Sequence, residues 1–260
     1  MRWLILPAGL LLSACQPAIT DRLATGKWVD LTYPFDSTTI YWPTAQPFRL
    51  TVVSAQRTPA GYYYAANDIA AAEHGGTHLD APIHFAEGQH ATDAIPLGQL
   101  IGPAVVIDVT RRADSSADYR VTATDIGAWE AAHGTIPGGA IVLIRTGWGS
   151  RWPDRGRYLG TTKTGAAAVP DLHFPGIHPD AAAVLLERQV DAVGIDTPSI
   201  DYGQSTTFDV HQRLFAANIP AFENVAQLDQ LPTTGAFVIA LPMKIGGGSG
   251  GPLRIVALLP

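Results

Sequence analysis

Apolar residues along the chain gather in short β-branched runs bounded by Gly or Pro. Ala104–Val109, Ala140–Arg145, Asp191–Ile195, Ala236–Leu241 and Arg254–Leu258 are such runs. Their length and their punctuation predict buried strands. Between them the spacing turns helical. Pro179 to Gln189 has Pro at the first helical position and sets Ala182, Leu185 and Leu186 on one face. Thr124-Asp125 is expected to cap a helix that runs to His133 and ends at Gly134. A third helix is expected over roughly Asp209 to Ala217. Trp28 to Ala66 reads as strand-rich and turn-rich. The elements together predict an α/β fold around a central sheet.

Composition bounds this picture without changing it. The chain has 260 residues, 47% hydrophobic and 15% charged, which suits one large domain with a substantial core. No internal repeat or interdomain linker appears. The formal charge is −6 and no Lys/Arg run is present, so nothing points to nucleic acid or anionic lipid as a partner.

The N-terminus is read separately from the fold. Met1-Arg2 is a minimal positive region, Trp3 to Leu12 is apolar, and Leu12-Ser13-Ala14-Cys15 follows. The apolar stretch is too short to span a bilayer as a mature helix. The ending resembles a bacterial lipobox, in which the cysteine becomes the lipid-modified first residue. Residues 1–14 are therefore expected to be a signal peptide of lipoprotein type, 15–26 a tether, and 27–260 the folded domain. The expected address is export, with a lipid anchor at Cys15 on the periplasmic or outer face of a membrane. A plain signal peptide with an incidental Cys is the alternative. Cys15 is the single cysteine, so an intramolecular disulfide and a cysteine-based zinc site are both excluded.

The chemistry concentrates in His74-Gly75-Gly76-Thr77-His78-Leu79-Asp80-Ala81-Pro82-Ile83-His84, which holds three of the eight histidines. Histidines four apart share a helix face, but two intervening glycines at ~1 kcal/mol each oppose a helix. A tight Gly-Gly loop around an ion fits better. His78 and Asp80, two apart on an extended segment, then point the same way. Pro82 also pushes Ala81 toward extended backbone. His74, His78 and Asp80 can thus converge on a zinc, manganese or iron(II) ion with positions left for water. His84 is either a fourth ligand or a nearby acid/base. Gly247-Gly248-Ser249-Gly250-Gly251 fits the G-x-S-x-G serine hydrolase pattern. No Asp, Glu or His follows Ser249, so that assignment fails and a close-packed turn before the last strand is expected.

The eleven-residue segment matches H-x-G-T-H-x-D-x-P-x-H throughout, and there the chain resembles the cyclase family of metal-dependent hydrolases, which includes bacterial kynurenine formamidase and isatin hydrolase. The resemblance extends over roughly residues 27 to 260. It takes in Asp30-Leu31-Thr32, Tyr41-Trp42-Pro43, Ile195-Asp196-Thr197-Pro198-Ser199-Ile200-Asp201, His211 with Glu223-Asn224, and Gly246 to Arg254. It implies a swivelling β/β/α fold with a mixed sheet and flanking helices in a single domain. It assigns His74, His78 and Asp80 to a first metal and Asp80, His211 and Glu223 to a second. His84 becomes the acid/base and Trp42 a substrate contact. Phe35 and Phe85 are expected to be core packing. The chain departs from the pattern at Thr44 after Pro43, where formamidases usually carry Gly-Asp, which bears on the substrate.

The resemblance implies a hydrolase that uses Zn or Mn, one or two ions per chain, to attack an amide, formamide or lactam C–N bond. The expected partner is a small molecule, an aromatic amide or lactam, and homo-oligomers are common in the family. Two alternatives stay open: lactone hydrolysis, and a lipoprotein that binds metal or ligand without turnover.

Overall fold

The computed structural model describes residues 23–260. The expected signal peptide, Cys15 and most of the tether lie outside the described residues.

Eight strands form one mixed sheet. In chain order they are β1 (Trp28–Asp30), β4 (His78–Asp80), β5 (Ile101–Asp108), β7 (Ile141–Arg145), β9 (Ala192–Ile195), β10 (Ala221–Glu223), β11 (Thr234–Pro242) and β12 (Gly250–Leu258). The spatial order is β1-β12-β11-β5-β7-β9-β10-β4. β5, β7, β9 and β10 run parallel; the other pairs are antiparallel. β4 also pairs with β12, which curls the sheet back on itself. Two hairpin strands, β2 (Arg49–Arg57) and β3 (Tyr63–Ala70), pair only with each other, as do the short β6 (Arg120–Val121) and β8 (Gly176–Ile177).

The apolar runs read from the sequence are β5, β7, β9, β11 and β12. Strand periodicity divides their side chains between two cores. On β7, Val142 and Ile144 join Ile107, Trp129, Leu185 and Phe215 under the helices. Ile141 and Leu143 point the other way and pack with Leu79, Val106, Phe222, Val238 and Ile255. On β7 and β9 both faces are buried, so they read as continuous apolar runs. β11 and β12 bury one face only, with Val238, Ala240, Ile255 and Ala257 inward and Ile239 and Val256 partly exposed.

Among the described residues, three helices of eight or more residues flank the sheet: α1 (Ala123–His133), α2 (Pro179–Glu187) and α3 (Asp209–Ala216). The cap of α1 lies two residues before the expected one. Thr122 accepts from the Asp125 amide, and the Asp125 carboxylate accepts from the Thr122 amide. This is a reciprocal capping box, and it places Asp125 at the third helical position. α2 starts at Pro179 as expected. It ends at Glu187, two residues short of Gln189, whose φ of +54° cannot continue a helix.

Candidate metal centre and its cavity

β4 presents His78 and Asp80 from one strand, and both are buried. The loop before it carries His74. Its glycines are explained by neighbouring rings rather than by an ion. A Cβ on Gly75 would fall inside the Tyr41 ring, and one on Gly76 would sit 2.7 Å from Phe35. Gly76 also has φ +58°, a conformation that costs other residues about 1–2 kcal/mol. β10 lies antiparallel to β4 with Glu223 opposite His78. α3 delivers His211 from its first turn.

Five side chains converge here. His74 Nδ1 lies 2.6 Å from Asp80 Oδ1, and His78 Nε2 lies 3.0 Å from the same oxygen. His211 Nε2 lies 3.3 Å from both Asp80 Oδ2 and Glu223 Oε1. His78 Nε2 is 3.5 Å from Glu223 Oε2. The potential ligand atoms of His74, His78 and Asp80 lie within 4.8 Å of one another, as do those of Asp80, His211 and Glu223. Asp80 is common to both groups.

The outward ring nitrogens show what this cluster suits. His78 Nδ1 donates to Gly76 O at 3.0 Å, and His211 Nδ1 donates to Asp201 Oδ2 at 2.6 Å. Ser249 Oγ donates to Glu73 Oε2 at 2.6 Å and so accepts from His74 Nε2 at 2.9 Å. With its outward nitrogen carrying the N–H, each imidazole in its neutral form turns a lone pair inward. Those three lone pairs face two buried carboxylates. Electron pairs facing anions in a buried site call for positive charge between them, supplied by protons on the rings or by a bound cation. One or two divalent cations satisfy all five groups at once, with the outward bonds fixing each ring.

The titration of the cluster carries the same demand. Burial pushes the His78 and His211 imidazoles down, yet the neighbouring carboxylates outweigh it and leave both raised. Burial pushes Asp80 up, but the surrounding histidines hold it well below the usual carboxylate range. Glu223 is raised by burial and then by the Asp80 charge.

The cluster forms the floor of a cavity of about 320 Å³, within the size range of small-molecule sites. Its walls are mostly apolar and aromatic: Ile40, Trp42, Phe85, Pro198 and Phe208. Among the described residues, no Lys or Arg lines it. His84 opens onto this space and stacks on His74, with centroids 3.9 Å apart and planes 19° apart. Burial by the cavity walls drives its pKa down to about 4. Trp42 lies in the wall, as its expected role requires. Phe85 packs against the helix-side core beside Phe215, as expected, and also lines the cavity, while Phe35 packs on Phe48 and against Gly76.

Four participants escaped the sequence. Asp201 stands in a segment singled out above, but its bond to His211 had no signal of its own. Ser249 and Glu73 are 176 residues apart, beyond any local spacing rule. Phe208 adopts φ +51° immediately before α3, and only backbone geometry reveals it.

A family model described as "Putative cyclase" matches residues 29–202. The isatin hydrolase of Roseibium aggregatum is 37% identical over 208 residues, 77% of this chain and 77% of that protein. The kynurenine formamidase of Salinibacter ruber is 32% identical over 232 residues, 88% of this chain and 95% of that protein. Among solved structures, isatin hydrolase A from Labrenzia aggregata bound to benzyl benzoate is similar with a TM-score of 0.83 at 35% identity. That match covers 92% of this chain and 97% of the other.

Proposed function

The chain belongs to the cyclase family of metal-dependent hydrolases, and on that premise we propose that it adds water across the C–N bond of a neutral aromatic cyclic amide. It is a hydrolase of non-peptide C–N bonds, the class to which its named relatives belong. The observation that carries the finer proposal is the pairing of an inward-facing histidine and carboxylate floor with an aromatic wall free of cationic side chains. N-formylkynurenine, the substrate class that the name of the second relative indicates, carries an amino-acid carboxylate. Recognition of a carboxylate favours Arg or Lys, and this cavity offers neither. A flat lactam such as isatin needs no such partner.

His74, His78 and Asp80 would hold one ion, and Asp80, His211 and Glu223 a second. Their mixed nitrogen and oxygen donors suit Zn or Mn. Such an ion lowers the pKa of the water it binds to about 7 and polarises a carbonyl. The residues do the rest. Trp42, Phe85 and Phe208 flank the ring of the substrate and exclude bulk water. Asp201 and Ser249 keep the His211 and His74 lone pairs turned inward. His84 reaches the same space and moves a proton to the departing nitrogen. The new bond joins the water oxygen to the carbonyl carbon, the C–N bond breaks, and the nitrogen leaves protonated. The Leu12-Ser13-Ala14-Cys15 ending supports an exported, lipid-anchored location for this chemistry.

The proposal is tested by assaying the metal-loaded protein on isatin, on N-formylkynurenine and on a lactone of the same ring size. A higher kcat/KM on the lactam than on N-formylkynurenine is expected. Preference for N-formylkynurenine would reject the neutral substrate, and preference for the lactone would reject the amide.

A further inference from the structure

Beyond the carboxyl end of β9 the chain turns through Asp196-Thr197-Pro198-Ser199, and Pro198 and Ser199 form part of the cavity wall. Parallel strands place ligands at that end of a sheet. The turn is pinned on both sides of Ser199. Thr197 Oγ1 donates to Ser199 O at 2.8 Å, and Ile200 N donates to Glu223 Oε1 at 2.8 Å. Ile177 N donates to Ile200 O at 2.7 Å. Ser199 is thus held one residue from an amide that touches a carboxylate of the cavity floor.

Its side chain has no task in the fold. Ser199 is 5% exposed, yet its hydroxyl bonds to no group among the described residues. The buried polar atoms that meet neither a partner nor open space are Tyr41 Oη, Thr58 Oγ1, His90 Nδ1, Thr110 Oγ1 and Arg155 Nε. Ser199 Oγ is not among them, so it opens onto space, and the space beside it is the cavity. The neighbouring Asn224 has no such freedom. Its Nδ2 donates to Gly76 O at 2.7 Å, and its Oδ1 accepts from Tyr158 Oη at 2.9 Å. Buried polar groups are nearly always paired, and an apolar ligand site keeps a few of them free to orient what it binds. If the turn needed only a small residue, alanine would fill it without an unpaired hydroxyl.

Resting on the reading of a neutral aromatic cyclic amide, we propose that Ser199 donates to a second carbonyl of the substrate, next to the scissile amide carbonyl. It thereby selects a cyclic 1,2-dicarbonyl amide over a plain lactam. The amide carbonyl lies on the floor, where water attacks it. Ser199 borders that floor beside Glu223, so its hydroxyl reaches an acceptor adjoining the amide carbonyl rather than the far edge of the ring. A ketone oxygen carries no hydrogen, so the pair works in one direction only, with the hydroxyl donating. A carbonyl at that position draws electrons from the amide carbon and opens it to attack. A hydrogen bond on its oxygen strengthens that pull. Ser199 keeps its proton throughout, while water adds to the amide carbon and the C–N bond breaks.

The test uses the full, metal-loaded chain with isatin, which has both carbonyls, and oxindole, the same bicycle without the second. Turnover of isatin and its inhibition by oxindole are measured for the wild type and for Ser199→Ala. In the variant kcat/KM for isatin is expected to fall about tenfold, mainly through KM, as one hydrogen bond is lost. The inhibition constant of oxindole should stay within about twofold, with metal content and melting curve unchanged. Equal weakening of both ligands makes Ser199 a matter of wall shape and overturns the proposal. A loss confined to kcat places the hydroxyl on the attacking water and overturns it too. If oxindole does not inhibit the wild type, the isatin result alone decides. Should Ser199→Ala fail to fold or lose its metal, Ser199→Cys, close in size and a weak donor, is read the same way. A wild type inert toward isatin rejects the cyclic-amide reading and the proposal with it. An active wild type with an indifferent variant rejects the role of Ser199 alone.

Discussion

Asp201 Oδ2 accepts from His211 Nδ1 at 2.6 Å, on the side of the ring away from Asp80 and Glu223. The same oxygen accepts from the His211 amide at 3.1 Å, so one carboxylate fixes both the start of α3 and the ring at its first turn. Asp201→Asn keeps the shape but no longer accepts equally well at both bonds. Loss of such an outer partner typically weakens metal binding about 10–100-fold. Metal titration of the variant is expected to show that drop with the melting curve still cooperative. Unchanged affinity would remove Asp201 from the ligand-orienting role.

His84 touches the cavity and stacks on His74, but it belongs to neither ligand group. His84→Ala is expected to retain the metal content of the wild type and to lose about 10²–10⁴-fold in kcat, the usual contribution of a positioned acid/base. Full turnover in a metal-replete His84→Ala protein would assign proton transfer elsewhere.

Phe208 stands in left-handed backbone at φ +51°, ψ +45° and packs its ring near Trp42 and Phe85. Strain of that kind costs on the order of 1–3 kcal/mol and persists where function holds it. Phe208→Gly is therefore expected to be more stable than Phe208→Ala by about 1 kcal/mol. Both variants should raise KM for an aromatic amide more than they lower kcat. Denaturant melts and steady-state kinetics check the two halves separately. An unmoved KM would make Phe208 a structural residue only.

Thr122 caps α1 far from the cavity. Thr122→Ala removes one half of the capping box and is expected to cost about 1 kcal/mol. In a domain of this size that lowers Tm by roughly 2–4 °C. Activity per folded molecule should not change. A larger loss with altered kinetics would show that α1 is coupled to the site.

Much of this was legible in the residues. The central strands β7 and β9 were legible because both their faces are covered and nearly every position is apolar, while β11 and β12 were legible from their β-branched content although only one face of each is buried. His78 and Asp80 were legible because strand geometry aligns residues two apart. His211 and Glu223 carry no such local rule. They reach the site through sheet order and the start of α3, and only their match to a family pattern exposed them. The Gly-Gly loop was placed correctly for a different physical reason, since Tyr41 and Phe35 occupy the space that a side chain would need. Asp201, Ser249 and Phe208 depend on long-range contacts or on a single backbone angle, which periodicity cannot encode. The cap of α1 shifted because Thr122 and Asp125 satisfy each other's amides, a reciprocity that outranks the Thr124-Asp125 pair.

A metal-dependent hydrolase centred on His74, His78, Asp80, His211 and Glu223 must hold its ion to turn over. Its most direct test is metal content per folded chain, measured with isatin hydrolysis before chelation, after chelation and after reloading. One or two ions per chain, with turnover lost on chelation and restored by Zn or Mn, is the predicted result. A folded protein that binds neither ion when both are supplied would contradict it.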